Sequence, residues 1–249
     1  MAMNGGAAKI EVGAELVRAR TILTVALSVL MVAFFALGSW QVQRLFWKLE
    51  LIARVDARVH AEPVPAPPPA EWPGISAEKD EYRRVTTTGV FEHEKEVLVQ
   101  AVTERGAGFW VMTPIVQDDR STILINRGFV PLDRRDAAAR SQSRTSGVVE
   151  VIGLLRMPEP GGGFLRSNDP TADRWYSRDV VAIAKAQDLA NIAPYFIDAD
   201  ATPHPGGLPV GGLTVVSFRN SHLVYAVTWY VLALLSAAGI FVVYRSRAG

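Results

Sequence analysis

The chain has 249 residues, 49% of them hydrophobic and none of them Cys, and its 26 Lys and Arg nearly balance 25 Asp and Glu. This length suffices for one or two domains with a sizeable core, and the charge balance argues against broad electrostatic binding of nucleic acid. The missing Cys excludes disulfides, a thiolate nucleophile, iron–sulfur clusters and thiolate sites for copper or zinc.

Two uncharged apolar stretches, 21–43 and 220–244, predict membrane-spanning helices. At ~1.5 Å rise per residue, each is longer than the ~30 Å hydrocarbon core of a bilayer. A cleaved signal peptide is the alternative for the first stretch, but its apolar run is long for a signal core, and aromatic and basic residues follow at once. A buried core helix is the alternative for the second stretch, and its uninterrupted apolar run disfavours that interpretation.

Two spans place both termini on one side of the membrane and the intervening segment on the other. Basic residues occur in both tails (Lys9, Arg18, Arg20, Arg245 and Arg247) and directly after the first span (Arg44, Lys48, Arg54 and Arg58). Because long loops cross membranes largely regardless of their charge, the residues after the span weigh less, and we expect the termini in the cytoplasm and the loop domain outside. The predicted segments are a cytoplasmic N-terminal tail (1–20), a first span (21–43), a membrane-exit helix with a Pro-rich linker (44–70), a β-rich periplasmic domain (71–219), a second span (220–244) and a cytoplasmic C-terminal tail (245–249).

The loop domain alternates short runs rich in Val, Ile, Thr and aromatic residues with Gly, Pro or Asp. Such runs predict strands at 82–91, 96–103, 109–116, 121–130, 148–156, 195–200 and 213–218. The apolar spacing of 179–189 instead predicts a helix, capped by Asp179. The expected fold class is an α+β membrane protein, with a small antiparallel sheet or partial barrel and one helix between two transmembrane helices.

No catalytic constellation is recognisable, so no catalytic residue is predicted and the chain is not expected to be an enzyme. There is no phosphate-binding Gly-rich loop, no nucleophile elbow and no zinc-binding His pair. A membrane-anchored hydrolase, a third interpretation, would need a convergent acid–base set that the chain lacks. The remaining polar candidates are interpreted as turns or surface residues: His60, His93 with Glu92 and Glu94 in a solvated hairpin turn, Asp118–Asp119, Asp198 with Asp200, and His204.

His222 differs because it lies about one turn inside the second span, where an ionisable residue is costly unless it faces protein, water or a ligand. Helical spacing places His222, Tyr225, Ala226 and Trp229 on one face, which could pack against a flat macrocycle while the imidazole supplies an axial ligand. The alternative is an interfacial His whose ring reaches the headgroups beside an aromatic belt.

The first span offers a second stripe, formed by Trp40, Arg44, Trp47 and Lys48, with two indoles and two cations. Its cations could pair with the propionates of a haem or with lipid phosphates. The sequence alone leaves both alternatives open.

Three segments resemble the Surfeit-locus protein 1 family of cytochrome c oxidase assembly factors. They are LGSWQVQRLFWK at 37–48, GFWVMTPIV with ILINRGFVP within 108–131, and NSHLVYAVTWYVLA at 220–233. Their order and their placement relative to the spans also agree, so the resemblance covers nearly the whole chain from Leu37 onward. Residues 1–20 and the Pro-rich linker carry no family motif.

The resemblance implies a non-enzymatic haem a chaperone in a bacterial inner membrane, acting in respiratory-chain biogenesis. Haem a would be bound transiently between the spans, with His222 as axial ligand through the haem iron and with contacts from Tyr225, Trp229, Trp40, Arg44, Trp47 and Lys48. The implied partners are the oxidase catalytic subunit, haem a synthase and the lipid bilayer. Because copper delivery usually relies on thiolates, the absence of Cys favours haem handling.

The alternative within this family is a cofactor-free scaffold that stabilises an oxidase assembly intermediate. In that interpretation, Phe109–Trp110 and Arg127–Phe129 would contact the partner, although buried strand packing is the expected role of Trp110 and Phe129. Gly108 and Gly128 are expected to mark tight backbone geometry.

Overall fold

The structure is a computed structural model that describes residues 5–163, 165–218 and 220–246, with side chains described from residue 15 onward in the first helix. The chain divides into two units, Met1–Ala53 with Ser217–Gly249 and Arg54–Val216. The parts of the predicted tails at 1–4 and 247–249, and the predicted domain boundary at Arg219, lie outside the described residues.

Two helices form the first unit, α1 (Gly5–Val59), which also runs into the second unit, and α4 (His222–Arg245). Helix α1 is continuous, so the predicted segment boundaries at 20 and 43 fall inside one helix. It ends shortly before Pro63, as the proline cluster predicted, because proline lacks the N–H that would continue a helix.

Both helices are long and apolar enough to cross a membrane. Their hydroxyl groups bond within the helix: Thr24 donates to the carbonyl of Arg20 at 2.8 Å, and Ser236 donates to that of Leu232 at 2.9 Å. These bonds satisfy polar side chains where hydrocarbon would offer no partner. Length, composition and internal bonding are therefore all compatible with membrane insertion.

The two helices pack antiparallel within this unit. The ring of Phe34 stacks on that of Trp229 with centroids 5.6 Å apart, and Gln41 lies opposite His222. Partner numbers in α4 thus fall as α1 numbers rise. A Cβ atom at Gly38 would lie 2.8 Å from the ring of Tyr230, so the absence of a side chain permits this close approach.

Seven strands form one sheet in the second unit, in the order β1-β2-β6-β7-β5-β4-β3. Their bounds are β1 Val64–Pro65, β2 Arg84–Phe91, β3 Val97–Thr103, β4 Gly106–Val116, β5 Thr122–Pro131, β6 Val148–Arg156 and β7 Ile192–Ala199. Pairing of β2 with β4, at Val90 and Val116, closes β2, β6, β7, β5 and β4 into a five-stranded barrel. A side chain at Gly89 would collide with the Val116 carbonyl at 2.3 Å, so glycine allows this closure.

The core follows the alternation of β5 and β7. Ile123, Ile125 and Ile197 are fully buried in one cluster, whereas Leu124 and Phe196 are fully buried in a second cluster with α3 (Val180–Ala186). Both strands are therefore covered on both faces, which fits their nearly continuous apolar sequences.

Helix α3 confirms the predicted helix, and its cap is as expected. The Asp179 carboxylate accepts a hydrogen bond from the backbone N–H of Ala182 at 3.0 Å. A further short helix, α2 (Ala77–Asp80), was not predicted.

Several sequence-based expectations of the barrel domain need correction. The segment 213–218, predicted as a strand, has no regular secondary structure. The barrel is closed, and β5 pairs in parallel with β7, whereas a small antiparallel sheet or partial barrel was expected. Strand β7 begins at Ile192 and β4 at Gly106, each three residues before the predicted start, and β1 lies within the predicted linker.

Candidate functional site

His222 begins α4 and contacts α1. Its Nδ1 atom lies 2.8 Å from the Oε1 atom of Gln41. Because an amide oxygen only accepts, Nδ1 carries the proton, and the lone pair of the neutral imidazole then lies on Nε2. Metal-ligating histidines are typically fixed in this way, through a hydrogen bond from the other ring nitrogen. In this tautomer, Nε2 is the ring atom of the half-buried His222 that carries a lone pair.

The other predicted residues of α4 divide between two surfaces. Ala226 is 2% exposed, and Trp229 stacks against Phe34 of α1 with an interplanar angle of 26°. Tyr225 is 55% exposed. His222, Ala226 and Trp229 thus face α1, whereas Tyr225 lies to the side.

The predicted stripe of α1 also divides. Trp40 and Trp47 are 51% and 48% exposed, and the guanidinium of Arg44 lies 4.8 Å from the ring centre of Trp47. The Lys48 ammonium instead lies 5.0 Å from the ring of Phe218, the residue shortly before α4. Both cations are therefore held by cation–π contacts.

Helical geometry places the exposed residues on the same side of the helix pair. At 3.6 residues per turn, Trp40, Arg44 and Trp47 lie roughly 60–120° around α1 from Gln41. Tyr225 lies roughly 60° around α4 from His222. Because the helices are antiparallel, both rotations turn toward the same side. Three aromatic rings and one guanidinium thus form an exposed surface beside His222.

Further along α4 from His222, side chains in direct contact fill the interface between the two helices. The stacked Phe34 and Trp229 rings, and Tyr230 against Gly38, occupy the space between the helices. Trp229 is thereby engaged in helix packing. The side that carries Tyr225 is, in contrast, exposed.

Sequence reasoning missed a buried polar network of the barrel, which surrounds Asp198. This residue was interpreted as part of a turn, but it lies on β7 and is only 4% exposed. Four side chains donate to its carboxylate: Asn126 at 2.7 Å, Arg156 at 2.9 Å, Arg178 at 3.0 Å and Thr214 at 2.9 Å. Alternation in the run Tyr-Phe-Ile-Asp, which places Asp198 on the same face as Phe196, was the available signal.

Arg178 extends this network to Glu159. Burial opposes ionisation of Glu159, but hydrogen bonds and the charge of Arg178 outweigh it, so the pKa of this carboxyl is lowered. The Asp198 network borders a cavity of about 370 Å³ that Trp110 also lines. The charged groups of this network are paired with one another. Because Asn126, Arg156 and Thr214 all bond to Asp198, the network links β5, β6 and β7 to the irregular segment at Thr214.

Two further histidines are not the surface residues that the sequence indicated. His93 is half-buried, and its Nε2 lies 3.0 Å from the carbonyl of Thr145. His204 is also half-buried, with Nε2 3.2 Å from the carbonyl of Arg127. His60 is confirmed as a surface residue, with a side chain 73% exposed.

The predicted turns and strand packing were otherwise correct. Asp119 stabilises the turn at 118–119 by accepting from the backbone N–H of Ser121 at 2.9 Å. The rings of Trp110 and Phe129 meet edge to face at 6.0 Å, and Phe129 is 1% exposed. Gly128 adopts φ +125°, and a Cβ there would lie 2.2 Å from the Val210 carbonyl, so its backbone geometry is tight.

Within the described ranges, no group of three or more His, Asp or Glu side chains could hold a metal ion. Fold and site thus define a two-helix protein with a closed β-barrel domain. Its candidate metal-ligating residue is His222, on the second helix. The SURF1 family model matches residues 28–234.

Similar proteins support the same assignment. Surfeit locus protein 1 of Rattus norvegicus is 40% identical over 217 residues, which cover 80% of this chain and 68% of that protein. The Homo sapiens protein of the same name is 39% identical over 81% of this chain and 71% of its own length. A SURF1-like protein of Monosiga brevicollis is 36% identical over 88% and 85%. The chain therefore belongs to the SURF1 family, a family of assembly factors and not of enzymes.

Proposed function

We propose that this protein binds haem a transiently and delivers it to the catalytic subunit of cytochrome c oxidase during assembly. Membership of an assembly-factor family supports the general role. The observation that carries the haem-specific part is the contact between His222 and Gln41, which leaves Nε2 of the imidazole free as an axial ligand.

The exposed side of the helix pair suits the rest of the macrocycle. Tyr225, Trp40 and Trp47 offer aromatic surface to a flat, apolar ring system. Arg44, and Lys48 near Phe218, offer cations for the two propionates. Trp229 contributes indirectly, because its stacking on Phe34 holds the two helices together. We therefore place haem on this open side, and not between the spans.

A haem carrier must bind haem weakly and at an accessible site, because it has to release the haem to an acceptor. The helix pair supplies one imidazole ligand and a largely open surface, so a site with two ligands in a closed pocket would bind haem more tightly. Delivery needs only this difference in affinity, and no bond within haem changes. Haem a synthase is the proposed donor and the oxidase catalytic subunit the acceptor.

The proposed location is a bacterial inner membrane, crossed twice, with both termini in the cytoplasm and the barrel in the periplasm. Support comes from the length and apolar composition of α1 and α4. This topology would keep the His222 end of the helix pair near the periplasmic face. There it could receive an amphiphilic cargo from the bilayer.

The first test is an optical spectrum of the protein purified in mild detergent from cells that make haem a. We expect a haem a band in the wild type, its loss in His222→Ala, and its retention in His60→Ala. His60 is a suitable control because its side chain is 73% exposed and lies outside the helix pair. A band retained in His222→Ala would contradict the assigned ligand.

A cofactor-free scaffold predicts a different outcome. Colourless wild-type protein that still copurifies with the oxidase catalytic subunit would favour the scaffold over the carrier. A second readout is the haem content of the oxidase in cells that carry only His222→Ala. The carrier predicts oxidase deficient in haem a, whereas the scaffold predicts normal haem content in whatever oxidase is assembled.

A further inference from the structure

The barrel domain holds an excess of buried positive charge outside the Asp198 network. The side chains of Arg127 and Arg140 are 1% and 4% exposed, and both approach Glu96, whose side chain is 9% exposed. Arg140 engages both carboxylate oxygens, with Nη1 donating to Oε2 at 3.0 Å and Nη2 to Oε1. Arg127 lies 3.8 Å from Oε2. The single carboxylate of Glu96 is therefore shared by two buried guanidinium groups, and Arg140 makes the closer, two-point contact.

The other contacts of Arg127 are with neutral groups. Its Nη2 donates to the carbonyl of Ser143, its Nη1 lies 3.4 Å from Nδ1 of His93, and its guanidinium lies 5.1 Å from the ring centre of Phe91. Because Nε2 of His93 donates to the Thr145 carbonyl, Nδ1 carries the lone pair of a neutral ring. None of these contacts compensates the charge.

Three buried polar atoms of this region have no hydrogen-bond partner among the described residues. They are Nε of Arg127, Nε of Arg140 and Oγ1 of Thr145. Burial also lowers the pKa of Arg127 to about 10, against the opposing effect of Glu96, so the guanidinium remains charged at neutral pH. A buried charge without full compensation is costly, and an anion that binds here would relieve that cost.

Arg127 and Thr145 are among the residues that line an open cavity of about 370 Å³. Its polar lining includes Arg127, Thr145 and His204, and its apolar lining includes Phe91, Ile125 and Val151. The volume is within the range of small-molecule sites.

Two carboxylates also line the cavity, and both already have partners. Glu150 is exposed and accepts from the Thr86 hydroxyl at 3.0 Å. Asp200 is half-buried and accepts from the Thr202 backbone N–H at 2.9 Å. Both partners are neutral, so Glu150 and Asp200 keep their negative charges, and among the described lining residues Arg127 carries the one guanidinium.

We propose that this cavity binds a small organic carboxylate, with its charged group at Arg127 and Thr145 and its apolar body against Phe91, Ile125 and Val151. A guanidinium and a hydroxyl together suit a carboxylate, and the apolar walls favour an aromatic or aliphatic body over a fully polar anion. The site lies in the barrel, and the proposal is independent of haem binding by the helix pair.

The test uses the full chain in detergent, with benzoate, uncharged benzamide and inorganic phosphate as probes. Calorimetric titration should show saturable binding of benzoate, and benzoate should raise the unfolding temperature. Benzamide and phosphate should bind at least tenfold more weakly. Arg127→Gln should abolish benzoate binding, whereas Arg134→Gln should leave it unchanged, because Arg134 is 51% exposed and pairs with Asp133.

Thr145→Val tests the site without removing a charge. Loss of one hydroxyl contact should weaken benzoate binding roughly fivefold. Failure of benzoate to bind, equal binding of benzamide, preferential binding of phosphate, or wild-type affinity in Arg127→Gln would each overturn the proposal. If Arg127→Gln does not fold, unchanged benzoate affinity in Thr145→Val overturns it, and a weakened affinity there supports it.

Discussion

Replacing Gln41 with Leu removes the acceptor that orients His222 while keeping a side chain of similar size. Partners that hydrogen-bond a metal-ligating residue typically contribute a factor of about 10–100 in affinity. We therefore expect haem a affinity to fall by that factor, which corresponds to roughly 1.4–2.7 kcal/mol. The folded state itself should lose only about 1 kcal/mol, the usual contribution of one hydrogen bond.

The assay is a titration of detergent-purified protein with haem a, followed by visible absorbance. Gln43→Leu is the matched control, because Gln43 is exposed and has no described contact with His222. Gln41→Glu keeps an acceptor at the same position and should bind haem at least as tightly as the wild type, since a carboxylate raises imidazole basicity. Wild-type affinity in Gln41→Leu, or equal losses in Gln41→Leu and Gln43→Leu, would refute the assigned role of Gln41.

Thermal unfolding of the full chain in detergent tests three features of the barrel. Gly128→Ala should lower the free energy of unfolding by about 2–4 kcal/mol, because φ is +125° and the new methyl would meet the Val210 carbonyl. Gly106→Ala, at φ +96° in open space, should lower it by only about 1 kcal/mol. Asp198→Asn should cost about 3–5 kcal/mol, because it removes the charge that pairs with Arg156 and Arg178. Stability should also fall as pH drops below about 6.5, because burial lowers the pKa of His93 and His204 and the unfolded chain therefore takes up protons first.

Each of these predictions has a clear contrary result. Equal losses in Gly128→Ala and Gly106→Ala would show that the close approach to Val210 does not limit stability. A nearly neutral Asp198→Asn would mean that Arg156 and Arg178 are compensated by other groups. For the pH effect, His204→Gln should flatten the dependence between pH 7.5 and 5.5, and an unchanged slope would assign it to other residues.

Local patterns predicted the elements of this protein well, because each depends on neighbours in sequence. Alternating β-branched residues indicated the strands, and Asp179 indicated the start of α3. The segment 213–218 shows the limit of this reasoning. Its composition favours a strand, but no described strand pairs with it, and Val215 is 72% exposed. Strand propensity becomes structure only where another strand offers backbone hydrogen bonds.

Long-range pairings could not be predicted in this way. Barrel closure depends on Val90 meeting Val116, and burial of Asp198 depends on Arg156 and Arg178, which come from other parts of the chain. The same applies to the helix pair. Sequence motifs indicated His222, but its partner Gln41 follows only from the register between two helices that are distant in sequence.

The position of β7 between β5 and β6 has a consequence for synthesis of the protein. Chain growth is vectorial, and β7 is the last barrel strand to be made, yet it joins two strands made earlier. Until Ala199 has emerged from the ribosome, β5 and β6 expose the edges that β7 will cover. The nascent barrel therefore remains an open sheet for most of its translation, and shielding of those edges by a chaperone or by the membrane would matter most in that interval.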